Sequence, residues 1–228
     1  MQRLWIRIYW PLLRVLDQWR LRRLMRRHPG LEIHPDASTN LVFARFELAP
    51  SARLRIGPDV YTERRRDAVC FRVDSNAEVD IGAGTWLYTD LGTIHLRAMR
   101  DGRLIVGPEC WLHACHISAK ELVELSRKAW VGPGSRVLDS DQHALDADHP
   151  QRTEPIRLGE HTWISADVTI MRGVEIGDHS VIGARALVTR SIPPHSLAFG
   201  NPAAVRGKVG DRSEIGLFRA SDSTMHQP

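Results

Sequence analysis

The sequence predicts an all-β chain, a single β-solenoid preceded by a short amphipathic helix. Three observations predict it. Aliphatic residues recur every six positions in the C-terminal half. The same register returns, with interruptions, earlier in the chain. Basic charge and tryptophan are concentrated in the first 28 residues, apart from the rest. The organisation expected from these is a helical segment over 1–30, a solenoid over 31–207 and an irregular tail over 208–228.

The N-terminal segment accounts for the chain's positive balance. The 228 residues hold 31 Lys+Arg and 27 Asp+Glu, a formal net charge of +4. Residues 1–28 contain eight of the arginines and one acid, Asp17, which makes that segment +7. The remaining 23 basic and 26 acidic groups leave a body at −3. Trp5, Trp10 and Trp19 also lie in this first eighth of the chain. On a helical wheel Leu4, Ile8, Leu12, Val15 and Trp19 fall together. Trp5, Tyr9 and Leu16 widen that face, while Arg3, Arg7, Arg14 and Gln18 gather opposite. Pro11 marks either a kink or the true first turn. No run reaches the ~18–20 apolar residues of a spanning helix, and no small-residue cleavage site suggests a signal peptide. Two readings remain open: an interfacial helix with arginines on anionic lipid, or a cap helix packed over the end of the solenoid.

The repeat is the strongest signal. Leu158, Ile164, Ile170, Ile176, Ile182 and Val188 are spaced six apart without a gap. Two positions earlier in each unit stand Ile156, Thr162, Val168, Val174, Ser180 and Ala186, mostly small or β-branched. Neither a helix nor a simple alternating strand has this period. It requires a short strand and a tight turn, repeated, with three units closing a triangular coil of about 18 residues. Glycines after the aliphatic (Gly159, Gly177, Gly183) suit a turn needing permissive backbone. Four earlier turns, beginning Ile56-Gly, Ile81-Gly, Val106-Gly and Val131-Gly, carry the same register, and Leu31–Ala49 would be the first coil. The stretches Arg64–Phe71, Arg97–Arg103 and Ala119–Lys128 break phase and are expected as longer turns or extra corner residues.

Composition excludes several classes. The apolar content of 43% throughout the chain excludes general disorder. The acidic body lacks clustered cations with interleaved aromatics, which excludes nucleic acid as partner. Cys70, Cys110 and Cys115 have no zinc or CxxC spacing, so reduced thiols and a cytoplasmic setting are expected. In the interfacial reading of the helix, that setting becomes the inner face of a membrane.

The stretch IRLGEHTWISADVTIMRGVEIGDHSVIGARALVTRSIPPHSLAFGNPAAVRG resembles the C-terminal block of the hexapeptide-repeat acyltransferases. The Trp-Ile pair, the VIGA, the VTR before a proline pair and the closing GNPAAVRG match in order. Within that family the chain is most similar to the maltose and galactoside O-acetyltransferases and their relatives in surface-polysaccharide gene sets. The resemblance is good over residues 75–207 and extends to 31–74 only as repeats. It implies a left-handed parallel β-helix, a homotrimer with active sites between subunits, and acetyl-CoA as donor. The motifs leave the acceptor open: a sugar or glycan hydroxyl is expected, with N-acetyl or serine-type transfer as the alternative.

The resemblance also points to individual residues. The polar stretch VLDSDQHALDADHPQRTEPIRLG interrupts the coil phase between Val137 and Ile156, and a long loop ejected from a rigid solenoid is a common place for function. A histidine here is the family's general base, which assigns His143. The chemistry agrees, since an acceptor hydroxyl must lose a proton as it attacks the thioester and an imidazole can take it near neutral pH. Asp141 or Asp146 is expected to orient that ring, with a backbone carbonyl as the alternative. His149, deeper in the loop, is expected to be solvated. His113 stands where sugar-acetylating relatives carry an acceptor-binding asparagine, so it is the substrate-binding candidate, and His116 is expected as a coil residue. For the donor, the resemblance implies Ala166 and Ala184 beside the pantetheine arm, with Trp163 flanking it or packing at a corner. Thr189 and Arg190 would meet the nucleotide end, and Arg206 is a further phosphate candidate. Ser165 departs from the glycine most relatives carry.

Rival readings fit less well. The histidines at 113, 116, 143 and 149 lack the HxxxxH spacing of gamma-class carbonic anhydrases, so no metal is expected. Serine acetyltransferases carry a longer helical N-terminal domain than the roughly 30 residues before this solenoid. An inactive scaffold is disfavoured by the presence of His143, Ala184 and Arg190.

Overall fold

The computed structural model describes residues 2–216, with side chains from residue 11 onward. The chain winds as a three-sided parallel β-helix. Its first face is a seven-stranded sheet running from Leu31–Ile33 to Glu175–Ile176. The second begins at Tyr61–Thr62 and is extended to eight strands by a C-terminal hook. The third is a seven-stranded sheet from Arg45–Leu48 to Leu187–Val188. The chain visits first, second and third face in turn. In the first coil a 3-10 turn, Thr39–Phe43, takes the place of a second-face strand.

The period-six aliphatics point inward as the repeat requires. Leu158, Ile164, Ile170, Ile176 and Ile182 are fully buried, and so are Thr162, Val168 and Ser180 from the partner positions. Each aliphatic buried from water contributes about 1.5–3 kcal/mol, and vertical stacking makes one continuous core from many short strands. The interrupted region resolves into wider coils of the same helix. Leu54, Val79 and Leu104 pair across successive coils, 25 residues apart. Much of the out-of-phase sequence is strand: Val69–Val73, Ile94–Ala98 and Leu122–Leu125 run four or five residues, against two for Thr169–Ile170.

The turn glycines serve a different purpose from the one their permissive backbone suggested. A Cβ on Gly177 would lie 2.4 Å from the backbone nitrogen of Pro194, and one on Gly159 2.7 Å from that of Asp178. Close stacking of coils demands glycine there. The left-handed conformation falls two residues later, at His161, His179 and Arg185, with φ of 55°, 57° and 60°.

The N-terminal helix spans Gln2–Arg27 and contains Pro11. It covers the start of the solenoid with one side only. Leu21 is buried, and Leu24 and Met25 pack against the core. Asp17 is fully buried, accepting hydrogen bonds from Arg20 (3.2 Å) and Arg64 (2.6 Å). Leu12, Val15, Leu16 and Trp19 face solvent. The cap and interfacial readings are therefore not alternatives, since the helix caps with the side opposite its apolar stripe. Those parts of the predicted faces on Leu4, Trp5, Ile8, Tyr9, Arg3 and Arg7 lie outside the described side chains.

The segment after the hook also has a defined place. The Val209 amide bonds to the His195 carbonyl (2.8 Å). The Arg212 amide donates to Nδ1 of His179 (3.1 Å), and its Nε donates to the His161 carbonyl (3.1 Å). The rings of His161, His179 and His195 stack at 5.0 and 4.8 Å along this first-to-second corner. The expected irregular tail is thus docked through Val209, Arg212 and Ser213, and residues 217–228 lie outside the described residues.

The three cysteines are free. Burial pushes the Cys110 and Cys115 thiols up to about 12 and raises that of half-buried Cys70. Alkylation of the native protein at neutral pH should therefore modify Cys70 first. Peptide mass spectrometry should find Cys110 and Cys115 labelled only after unfolding.

Candidate active site

The long loop leaves the third face after Arg136–Leu138, and a buried carboxylate anchors its base. Asp139 is fully buried and accepts the backbone N–H groups of Lys120 (2.8 Å), Glu121 (2.8 Å) and Leu122 (3.0 Å). Burial raises its pKa, and these amide bonds offset only part of the shift. Beyond it the two legs of the loop pair through an antiparallel bridge between Ser140 and Thr153. Arg172, from the next coil, clamps both legs, donating to Asp141 (2.7 Å) and to Glu154 (2.5 Å). Lys120 adds a bond to Gln151 (2.6 Å). His143 is exposed at the head of this braced loop.

Neither carboxylate expected to orient His143 does so within the chain. The Asp141 carboxylate is taken by Arg172, whose hydrogen bond lowers its pKa. Asp146 accepts the amides of Asp148 (2.9 Å) and His149 (2.8 Å) and pairs with Nδ1 of His149 (2.7 Å), which lowers its pKa. Asp146 thus orients His149, the histidine expected to be merely solvated. Sequence proximity misled here because the loop's tight turns direct neighbouring side chains to different partners.

His113 closes a second-face strand, Trp111–His113. Its ring packs against Tyr88 (4.6 Å) and Trp111 (5.2 Å), and its Nε2 pairs with Asp90 from the coil above. Burial raises the Asp90 pKa, but hydrogen bonds from Tyr88 and His113 outweigh it and the net shift is downward. The composition of this cluster (an aromatic wall beside a carboxylate that is 43% exposed) suits a sugar ring. Sequence reading found His113 and missed Asp90 and Tyr88. The register that stacks Tyr88 on His113 becomes visible only once the coil length is known.

The turns between second and third faces form a column. The amide of Ala114 bonds to the Tyr88 carbonyl, Gly134 to Ala114, Asp167 to Pro133 and Arg185 to Ala166, all at 2.8–3.1 Å. His113, Ala166 and Ala184 therefore share one corner. His143, Asp141, Thr189 and Arg190 belong to the other edge of the third face, where its strands end. Trp163 begins its strand at the first-to-second corner, with the Arg212 guanidinium 5.5 Å from its ring. Arg206 lies in the hook Ala203–Lys208, which folds back antiparallel on Ser196–Gly200. A cavity of about 260 Å³ opens on the third face against Arg72, Arg97, His95 and His116, in coils preceding the loop. Among the described residues, no cluster of His, Cys, Asp or Glu converges as a metal site.

This architecture is a left-handed parallel β-helix built on a six-residue repeat. Residues 155–190 match the family described as bacterial transferase hexapeptide (six repeats). The galactoside O-acetyltransferase of Escherichia coli (strain K12) is 40% identical over 77 residues, 34% of this chain and 38% of that protein. That of Lactococcus lactis subsp. lactis (strain IL1403) is 37% identical over 78 residues, 32% of this chain and 38% of its own length. The matched stretch thus spans about two fifths of these relatives. The crystal structure of the polySia-specific acetyltransferase NeuO superposes with a TM-score of 0.57 at 19% identity, covering 87% of this chain and 91% of that one, and shares the fold.

Proposed function

We propose that the protein is an acetyl-CoA-dependent O-acetyltransferase that acts as a homotrimer on a sugar hydroxyl, in surface-glycan or glycolipid assembly, with its N-terminal helix at a membrane surface. One observation carries the reading. The residues assigned to donor arm and acceptor (Ala166, Ala184, His113) and those assigned to proton transfer and the nucleotide end (His143, Thr189, Arg190) occupy opposite edges of the third face. Their division over two edges supports a site shared between neighbouring copies. A three-fold arrangement, in which each copy sets its His143 edge against the next copy's Ala184 edge, completes three equivalent sites.

In such a site the acceptor hydroxyl attacks the thioester carbonyl and His143 takes its proton. Backbone amides at the turns steady the tetrahedral oxyanion. The intermediate then expels the thiolate of CoA, which receives the proton from the imidazolium, so no covalent enzyme intermediate forms. Asp90, Tyr88 and His113 hold the sugar, and Arg172 holds the loop that carries His143. Release of free thiol from acetyl-CoA, measured across a panel of sugars, tests the reading. Acceptor-dependent release is expected from at least one sugar, and release that no sugar stimulates would leave the fold without this activity.

A further inference from the structure

The N-terminal helix presents a surface that the solenoid does not use. Leu12, Val15, Leu16 and Trp19 are 56%, 62%, 51% and 56% exposed, on the side of the helix opposite buried Asp17 and Leu21. Toward the C-terminus the same side continues into Arg22, Arg23 and Arg26, all exposed, with Arg23 stacked 5.6 Å from the Trp19 ring. The segment's single acid, Asp17, is buried and paired with Arg20 and Arg64. The outward side is therefore apolar over two turns and then purely cationic. Among the described residues no helix is long and apolar enough to cross a membrane.

We propose that this side of the helix docks the protein on a bilayer surface rich in anionic lipid. The exposed Leu, Val and Trp side chains enter the headgroup zone, and Arg22, Arg23 and Arg26 pair with lipid phosphates. Charge complementarity selects this occupant. A second copy of the helix would set these arginines against like charges, and a neutral apolar partner would leave them without acceptors. Because the opposite side grips the first two coils through Leu21 and the Asp17–Arg64 pair, docking would fix the orientation of the whole solenoid on the membrane. Several copies in one assembly would multiply the attachment.

Flotation of the full chain with phosphatidylcholine vesicles, with and without phosphatidylglycerol, tests this. The protein should float with the anionic vesicles, stay down with neutral ones, and be released by high salt. The triple variant Arg22→Gln, Arg23→Gln, Arg26→Gln should partition roughly a hundredfold more weakly. The double variant Val15→Ser, Trp19→Ser should also lose binding, and neither set should lower the melting temperature, since all these side chains are exposed. No flotation, equal flotation with neutral vesicles, or unchanged flotation of the two variants would each overturn the proposal. So would a fall in particle mass of the Ser variant in light scattering without any vesicle binding, which would assign the stripe to self-association.

Discussion

Replacing His143 with alanine is expected to lower kcat for acetyl transfer by about 10²- to 10⁴-fold, the usual contribution of a positioned general base. The side chain is exposed in a loop braced by other residues, so the melting temperature should not move and the KM for acetyl-CoA should stay near its wild-type value. A sharper result follows from the two-edged arrangement of the site. Ala184 is exposed at its turn, so Ala184→Trp should block the donor arm without harming the core. Each variant alone should be inactive. Refolded together, they should regain activity, to about one quarter of wild type for random mixing, because a site drawing His143 from one copy and Ala184 from the next is then intact. Full activity of His143→Ala would remove the base assignment. Failure of the mixture to regain activity would place both halves within one chain and overturn the shared site.

Asp139→Ala should be the most damaging single change near the site. The carboxylate satisfies the amides of Lys120, Glu121 and Leu122, and alanine would leave these donors in a buried place. At about 1–3 kcal/mol for each unsatisfied group, partly relieved by entering water, the expected loss is about 3–5 kcal/mol. The same change frees the base of the loop, so catalysis should fall even in the fraction that remains folded. Asp139→Asn keeps an oxygen able to accept these amides and should cost less. The pH dependence has a definite sign. Because burial raises the pKa of this carboxyl in the folded protein, its titration favours folding most at low pH. That contribution fades as pH rises through the folded-state pKa. In denaturant melts across the acidic range, the stability advantage of wild type over Asp139→Asn should therefore narrow as pH rises. Parallel curves would show that the carboxyl titrates as it does in the unfolded chain.

The differences in legibility have physical causes. Period-six aliphatics are legible because every coil must bury one residue per side, and that demand is local and repeated. The loop that carries His143 was legible because it interrupts so regular a register. The partners of Asp141 and Asp146 were not. Arg172 lies 31 residues from Asp141 in sequence and becomes its neighbour only when the loop has been excised and the coils stacked. Asp90 and His113, 23 residues apart, meet for the same reason in a wider coil. The docking of Arg212 against Trp130 and Trp163 carries no periodic signal, because it is a single contact of an aperiodic segment.

The sequence alone determined the solenoid, the separation of a +7 segment from a −3 body and the loop that carries His143, since each follows from pattern or composition along the chain. Only the tertiary structure decided which side of the N-terminal helix is buried. The wheel identified an apolar stripe, but the solenoid is met instead by Asp17 and Leu21, where Arg64 of the second coil supplies a counter-charge from 47 residues away. It likewise decided that the candidate site is divided between two edges of one face, because the corner a residue occupies depends on the summed lengths of all the turns before it.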